Sequence, residues 1–346
     1  MNASTLLLVV LLLALRFWNK IHVSYTYLLF SLALLSVGAL VYMKTGRLNF
    51  LVYSLLMSLL ISADRKVVLR TYIFVGGSIL VSVFFLSLLK VIPNLQYSRG
   101  GVIRNSFGFI YPTDFASHCF YLYMAFSYLN RKRFIILRTL FGLALAGFII
   151  KYCDARLNAG SILLAAGIFL YFYYRKNSQS TLFAIMPFMA GMASAVMVYL
   201  SKNFSWGQPM YVTLNQFTNM RLHLGHEALK KYPVQLFGTR GVSFVGYGGK
   251  TETVMNYDYV DSSYVQMLFT YGLVPVVLLV VLYMIQSWGL YRRKNYLLLA
   301  CLALVAVNCM FEAFWIRPSY NIFMFLLFAA FPAAESEPES PETGVA

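Results

Sequence analysis

The chain has 346 residues, 60% of them hydrophobic and 12% charged, and a formal net charge of +16. A single soluble globule of this size could not bury so many apolar side chains, which excludes an ordinary soluble fold. The apolar residues run in continuous blocks rather than in alternation, which excludes a transmembrane β-barrel.

The blocks have the length, roughly 15–25 residues, that crosses a hydrocarbon core. The sequence therefore predicts an all-α polytopic integral membrane protein. Candidate spans lie at 3–15, 24–43, 48–63, 69–92, 110–130, 134–152, 160–174, 182–200, 262–286, 295–311 and 318–333. That is about eleven transmembrane helices, within a range of 10–12. Residues 1–15 have the length of a signal sequence but no basic n-region and no small-residue cleavage site, so they read as the first span. Residues 1–333 form one transmembrane domain, interrupted by a single large hydrophilic loop at 201–261. Residues 334–346, rich in Glu, Pro and Ser, read as a disordered acidic tail.

Basic residues in short loops set the orientation. Arg16 with Lys20, Arg65-Lys66 with Arg70, Arg131-Lys132-Arg133, Arg175-Lys176 and Arg292-Arg293-Lys294 fall on one side if the spans alternate, and that side is cytoplasmic. The 201–261 loop then faces outward and the tail inward. With the basic residues placed between spans, their counter-charges are lipid headgroups or phosphorylated lipid-linked substrates, not nucleic acid. The four cysteines lie in or beside apolar spans without metal-ligand spacing and read as small core residues. Tyr (26) and Phe (29) are abundant enough to supply interfacial belts and core, and they also suit a carbohydrate-facing cavity.

The ionisable residues left over gather at the outer ends of spans. Asp114, Asp154, Glu227, Glu252, Asp258, Asp261 and Glu312 lie there, with Arg104, Arg156, Arg221, Arg240 and Arg317. Several have plain structural readings. Asp114 opens a helix after Pro112, Asp261 stands where an N-cap would, Asp154 can pair with Arg156, and Glu312 can pair with Arg317. Yet charge collected at one membrane face also points to a functional cavity. No Walker loop, Rossmann glycine fingerprint or HExxH motif is present, so neither a nucleotide-sugar site nor a metal is implied, and no cofactor is expected. His223 and His226 share a helix face with Glu227 nearby, which fits a surface helix and also permits a metal or an acid/base role.

Longer patterns carry more. Residues 104–112 read R-x-S-x-G-F-x-x-P, and Asp154 to Arg156 read D-x-R. Residues 221–232 read R-x-x-x-G-x-x-x-L-x-x-Y, a short amphipathic helix ended by Pro233, and residues 236–238 read L-F-G. Residues 261–272 read D-x-S-Y-x-x-x-L-x-x-x-G. In this order, on a polytopic chain, the set resembles the Wzy-type polymerases of O-antigen and capsular polysaccharide repeat units, within the O-antigen ligase/polymerase superfamily. The resemblance runs from Arg104 to Gly272, with Glu312 and Asn321 in the last hairpin, and leaves the first third uncovered.

That resemblance implies a GT-C-like membrane glycosyltransferase in the bacterial cytoplasmic membrane, with its active site facing outward. It would move a growing glycan from undecaprenyl pyrophosphate onto a new lipid-linked repeat unit, with inversion and without a metal. The implied partners are the lipid-linked oligosaccharide donor and acceptor, membrane lipids and a chain-length regulator. Arginine suits a departing pyrophosphate because its fork binds phosphate oxygens and stays charged. Arg221 matches the family's loop arginine and is the expected catalytic cation. Arg104, Arg156, Arg240 and Arg317 are the other candidates for phosphate or acceptor contact. Tyr264 belongs to the last motif, and Asp114, Asp154, His226 and Glu312 complete the candidate substrate-binding set. Asp261 is the expected general base, with Asp114, Asp258 and His226 as rivals. Where the related ligases carry a His-Asn pair before the span after the large loop, this chain reads Asp261-Ser262, which argues against ligase activity. A ligase-type transferase and a flippase of lipid-linked oligosaccharide are the alternatives. A flippase should show internal repeats, and none is visible.

Overall fold

The computed structural model describes residues 25–61, 63–175, 181–249 and 256–330. The expected first span, the basic residues Arg16, Lys20 and Lys176, the loop residues Lys250 and Glu252, and the acidic tail lie outside the described residues.

Three helices open the described chain: α1 (Tyr25–Thr45), α2 (Asn49–Leu60) and α3 (Arg65–Leu88). Asp64 caps α3 by accepting the Lys66 amide at 2.7 Å. An antiparallel hairpin follows, β1 (Gln96–Arg99) paired with β2 (Val102–Asn105), in register Gln96 with Asn105. The hairpin departs from the all-α expectation. Its turn at Gly100 and Gly101 takes two consecutive left-handed residues, which glycine alone adopts without steric cost.

Helices α4 (Pro112–Leu129), α5 (Ile135–Cys153) and α6 (Arg156–Tyr174) come next. Two 3₁₀ turns, Thr181–Ala184 and Met186–Phe188, precede α7 (Met189–Lys202). The large hydrophilic loop holds α8 (Pro209–Phe217) and α9 (Arg221–Lys231). The chain returns through α10 (Ser263–Thr270), α11 (Leu273–Arg292), α12 (Tyr296–Asn308) and α13 (Ile322–Leu326).

Five of these helices, α1 (from Leu28), α3, α5, α6 and α11, are long and apolar enough to cross a membrane, and α2 and α12 are shorter apolar helices. α4, over the expected 110–130 span, is not among them, and three further expected spans are not continuous α-helices. The 182–200 span begins as 3₁₀ turns because Pro187 cannot donate an amide to a helical ladder. The 262–286 span is broken at Tyr271 and Gly272 into α10 and α11. The 318–333 span shows five α-helical residues among its described positions, which end at 330.

The helices divide by what surrounds them. α3 turns Phe74, Val75, Ile79, Val81 and Phe85 outward, an apolar surface suited to lipid. α4 instead buries Phe115, Phe120, Tyr121, Met124 and Tyr128 at the centre of the main hydrophobic cluster. It can therefore carry Asp114, Ser117 and His118, which hydrocarbon would penalise.

The two ends of the bundle also differ. At one end the start of α3, the end of α4 and the α11–α12 turn come together, with Arg65, Arg131 and Asn295 all acting on Tyr128 and Arg293 acting on Arg65. These are three of the five basic clusters that the sequence predicts on a common side. The opposite end carries the hairpin, the large loop and the candidate site. The loop has its own small core, in which Phe204, Tyr211, Leu222, Val242 and Val260 pack on Met197, Val265 and Phe269.

Candidate active site

The loop arginine is aimed inward by its local backbone. Asn219 and Met220 both have positive φ (53° and 66°) and turn the chain sharply into α9. Asn215 accepts the His223 amide at 3.0 Å, satisfying a donor that the first turn leaves open. Arg221 is the first residue of the helix. At Gly225 a Cβ would stand 2.6 Å from Ser201 Oγ, so a side chain here would push α9 off α7.

Arg221 lies between two carboxyl groups. Its Nε is 3.4 Å from Asp261 Oδ2, and its Nη2 is 3.5 Å from Glu312 Oε1. Side-chain exposure falls from 29% at Asp261 to 10% at Arg221 and 5% at Glu312. Glu312 is fixed from behind. Asn158 Nδ2 donates to Oε1 at 3.4 Å, and Ser117 Oγ donates to Asn158 Oδ1 at 3.3 Å. Its backbone is also held: its amide donates to Asn308 O at 3.1 Å, and Ser263 Oγ donates to its carbonyl. Among the described residues Asp261 has no comparable anchor, and the Arg221 Nε, though buried, makes no hydrogen bond.

Further charges surround this trio. Arg104 and Arg317 lie within electrostatic reach of Asp261, and Asp114 within reach of Glu312. Burial raises the Asp261 carboxyl above its ordinary range, and Arg221 is the largest influence opposing that rise. Burial also pushes Glu312 up to about 8, with Arg221 opposing and the Asp261 and Asp114 charges reinforcing. Arg317 makes no carboxylate ion pair within 4 Å among the described residues. Its partners are aromatic: it lies over Phe314 at 5.5 Å and beside Tyr259, Tyr53 and Tyr271. Tyr320 stacks between Phe314 (3.9 Å) and His118 (4.0 Å) and faces Asp114.

The other predicted residues divide sharply. Arg104 reaches the site from β2, anchored by a 2.9 Å bond from Nε to Cys153 O. Asp154 is a structural clamp. Its carboxylate pairs with both Arg99 and Arg156, which outweigh burial and hold it below the usual carboxylate range. Arg156 pairs there, as its spacing allows, but its side chain is 76% exposed and does not join the Arg221 group. Arg240 lies exposed on the loop. The ring of His226 packs on Phe204, with Nδ1 2.9 Å from Ser201 O, so it ties α9 to α7. His223 packs on Phe204 and Trp206. Tyr264 is fully buried, donating to Ala306 O at 2.8 Å, and lies in the main hydrophobic cluster. Glu312 pairs with Arg221 and not with Arg317. Asp258 accepts Lys231 Nζ at 2.6 Å and the Val245 amide, closing a loop turn.

The L-F-G and Tyr271-Gly272 motifs meet each other rather than the site. The amides of Leu273 and Val274 donate to Gln235 and Leu236 carbonyls at 2.9 and 3.0 Å, and Thr239 N donates to Phe269 O. Gly272 has φ 101°, and a Cβ there would stand 2.3 Å from Gly238 N. Two backbones cross at this point, which explains both glycines.

Asn158, Ser117 and Tyr259 are not among the residues the sequence points to. Asn158 and Ser161, one turn apart in the otherwise apolar α6, are the signal that could have found the first of them. A scan against protein-family models, a search of curated proteins and a search of solved structures each return no match.

Proposed function

We propose that this protein is a GT-C-like membrane glycosyltransferase that polymerises lipid-pyrophosphate-linked oligosaccharide repeat units, as the Wzy-type polymerases do. The observation that carries this reading is Arg221, buried between Asp261 and Glu312 at the end of the helices that also gathers Arg104 and Arg317. A cluster with this charge, opening through the partly exposed Asp261, suits an anionic leaving group beside an acceptor hydroxyl.

In the proposed reaction, the bond between the donor sugar's anomeric carbon and the pyrophosphate oxygen breaks, and the electron pair leaves on undecaprenyl pyrophosphate. A new bond forms from that carbon to a hydroxyl oxygen of the acceptor repeat unit. The hydroxyl proton passes to the Asp261 carboxylate. Arg221 stabilises the charge that develops on the leaving oxygen, where a cation is most effective in a site shielded from water. Arg104 and Arg317 hold the remaining phosphate charge. Such an enzyme works at the outer face of the bacterial cytoplasmic membrane, with the basic end of the bundle inside. A chain-length regulator is a further proposed partner.

Purified protein in proteoliposomes, supplied with short undecaprenyl-pyrophosphate-linked repeat units, is expected to yield a ladder of longer glycans and release undecaprenyl pyrophosphate. Labelled units that change leaflet without lengthening would instead establish a flippase. Transfer to a lipid A core acceptor without a ladder would establish a ligase.

A further inference from the structure

Arg221 faces two acidic groups that differ in anchoring and burial. Glu312 is held at its side chain by Asn158, itself bonded to Ser117, and at its backbone by Asn308 and Ser263. Asp261 has none of these anchors and is the more exposed of the two. The Nε edge of the guanidinium lies beside the more exposed Asp261, and among the described residues the buried Nε lacks a hydrogen bond, so a pyrophosphate that displaced Asp261 would meet this edge. The Nη2 end stays against Glu312.

We infer that Glu312 is a positioning residue for Arg221: fixed through Asn158, it pins the guanidinium at Nη2 while Asp261 is the acidic group that yields its place to the pyrophosphate. This inference rests on the proposed role of Arg221 and adds an order of events to it. Donor binding frees the Asp261 carboxylate from the cation, so the base becomes available only when a donor is present.

The protonation of Glu312 matters to this role. Arg221 on α9, Asp261 before α10, Asp114 and Tyr121 on α4, Cys309 after α12 and Tyr320 before α13 are the titratable groups that act on it or on which it acts. Burial pushes the carboxyl up to about 8. At neutral pH it therefore offers Arg221 a neutral acceptor, which orients the cation without cancelling its charge. As pH rises past that value the carboxylate forms, neutralises Arg221 and competes with phosphate.

The test uses the full-length protein in nanodiscs and compares wild type with Glu312→Gln and Glu312→Ala. In wild type the KM for the lipid-linked donor is expected to rise about tenfold between pH 7 and pH 9, as one proton is lost. Glu312→Gln, neutral at every pH, should keep that ratio within about twofold. Glu312→Ala should lose roughly 30-fold or more in kcat, of which the Gln variant recovers at least tenfold. A purely structural role would leave the alkaline rise in KM unchanged in Glu312→Gln, and that result overturns the inference even if Glu312→Ala fails to fold. A Gln variant as inactive as the Ala variant also overturns it.

Inorganic pyrophosphate gives a readout that does not require turnover. The ratio of wild-type to Glu312→Gln affinity should fall about tenfold over the same pH range, with the probe's own titration cancelling. A wild type that binds pyrophosphate with this pH signature but does not elongate glycans sinks the polymerase reading and leaves the Glu312 inference standing. A wild type that elongates without the signature does the reverse, and one that neither elongates nor binds overturns both.

Discussion

At the scale of single residues, position sets two rivals for the general base, Asp258 and His226, apart from Asp261. Asp258 is occupied by Lys231 and the Val245 amide, and His226 by Ser201 and Phe204. Asp261 is partly exposed and faces the cation that would bind the donor. Asp261→Asn keeps the shape and cannot accept a proton, so elongation should fall by roughly 10²–10⁴-fold. Wild-type rates in that variant would remove Asp261 as the base. Because the base must be ionised and burial raises its carboxyl, the acid limb of the rate profile should lie above the ordinary aspartate value of about 3.9. A limb at or below that value would contradict the assignment. The sequence singles out Arg221 and Asp261 through motifs that resemble a family. It assigns Glu312 to Arg317 by proximity along the chain, and the structure pairs it with Arg221, 91 positions away by residue number. That partner is set by how α6, α9 and the turn after α12 meet, which no local spacing encodes.

At the scale of elements, two of the motifs turn out to be joints. The hairpin stands on the end of α5 through Arg104 to Cys153, Asn105 to Tyr152 and Arg99 to Asp154. Asp154 titrates below the usual range, so its contribution to stability is present above the unfolded value of about 3.9 and is lost as pH falls through its lower folded value. Asp154→Asn should lower the Tm at neutral pH and remove that part of the acid-side loss. A variant with the wild-type Tm and acid profile would show that the clamp contributes nothing. Gly272→Ala places a Cβ against the Gly238 amide at a backbone angle unsuited to alanine. It should destabilise the loop by about 3 kcal/mol or more, read as a drop in Tm and as proteolytic opening of the 235–249 region. An unchanged Tm would mean that the crossing can relax. The sequence contains both glycines and the L-F-G run, but it does not show that they touch. Likewise it predicts one span over 262–286, because hydropathy does not register a single backbone turn at Gly272 inside an apolar run.

At the scale of the whole molecule, hydropathy and basic turns convey the class of fold well. Most of the apolar blocks between 24 and 174 become helices near the expected positions, and the described basic turns near Tyr128 collect at one end. The central helix α4 was legible as an apolar block, but its polar residues become interpretable only when neighbours enclose them. On the proposed orientation, a cysteine introduced at Arg240 should label with an impermeant reagent from outside intact cells, and one at Lys132 only after lysis. The reverse pattern would place the arginine cluster on the wrong face for an outward-facing polymerase. The most direct measurement is elongation of lipid-linked repeat units by purified wild type and Arg221→Ala, reconstituted at equal amounts. The account predicts a glycan ladder from wild type and at least a 100-fold loss from the variant, which remains folded in the membrane. Ladders of equal length and rate from the two proteins would contradict it.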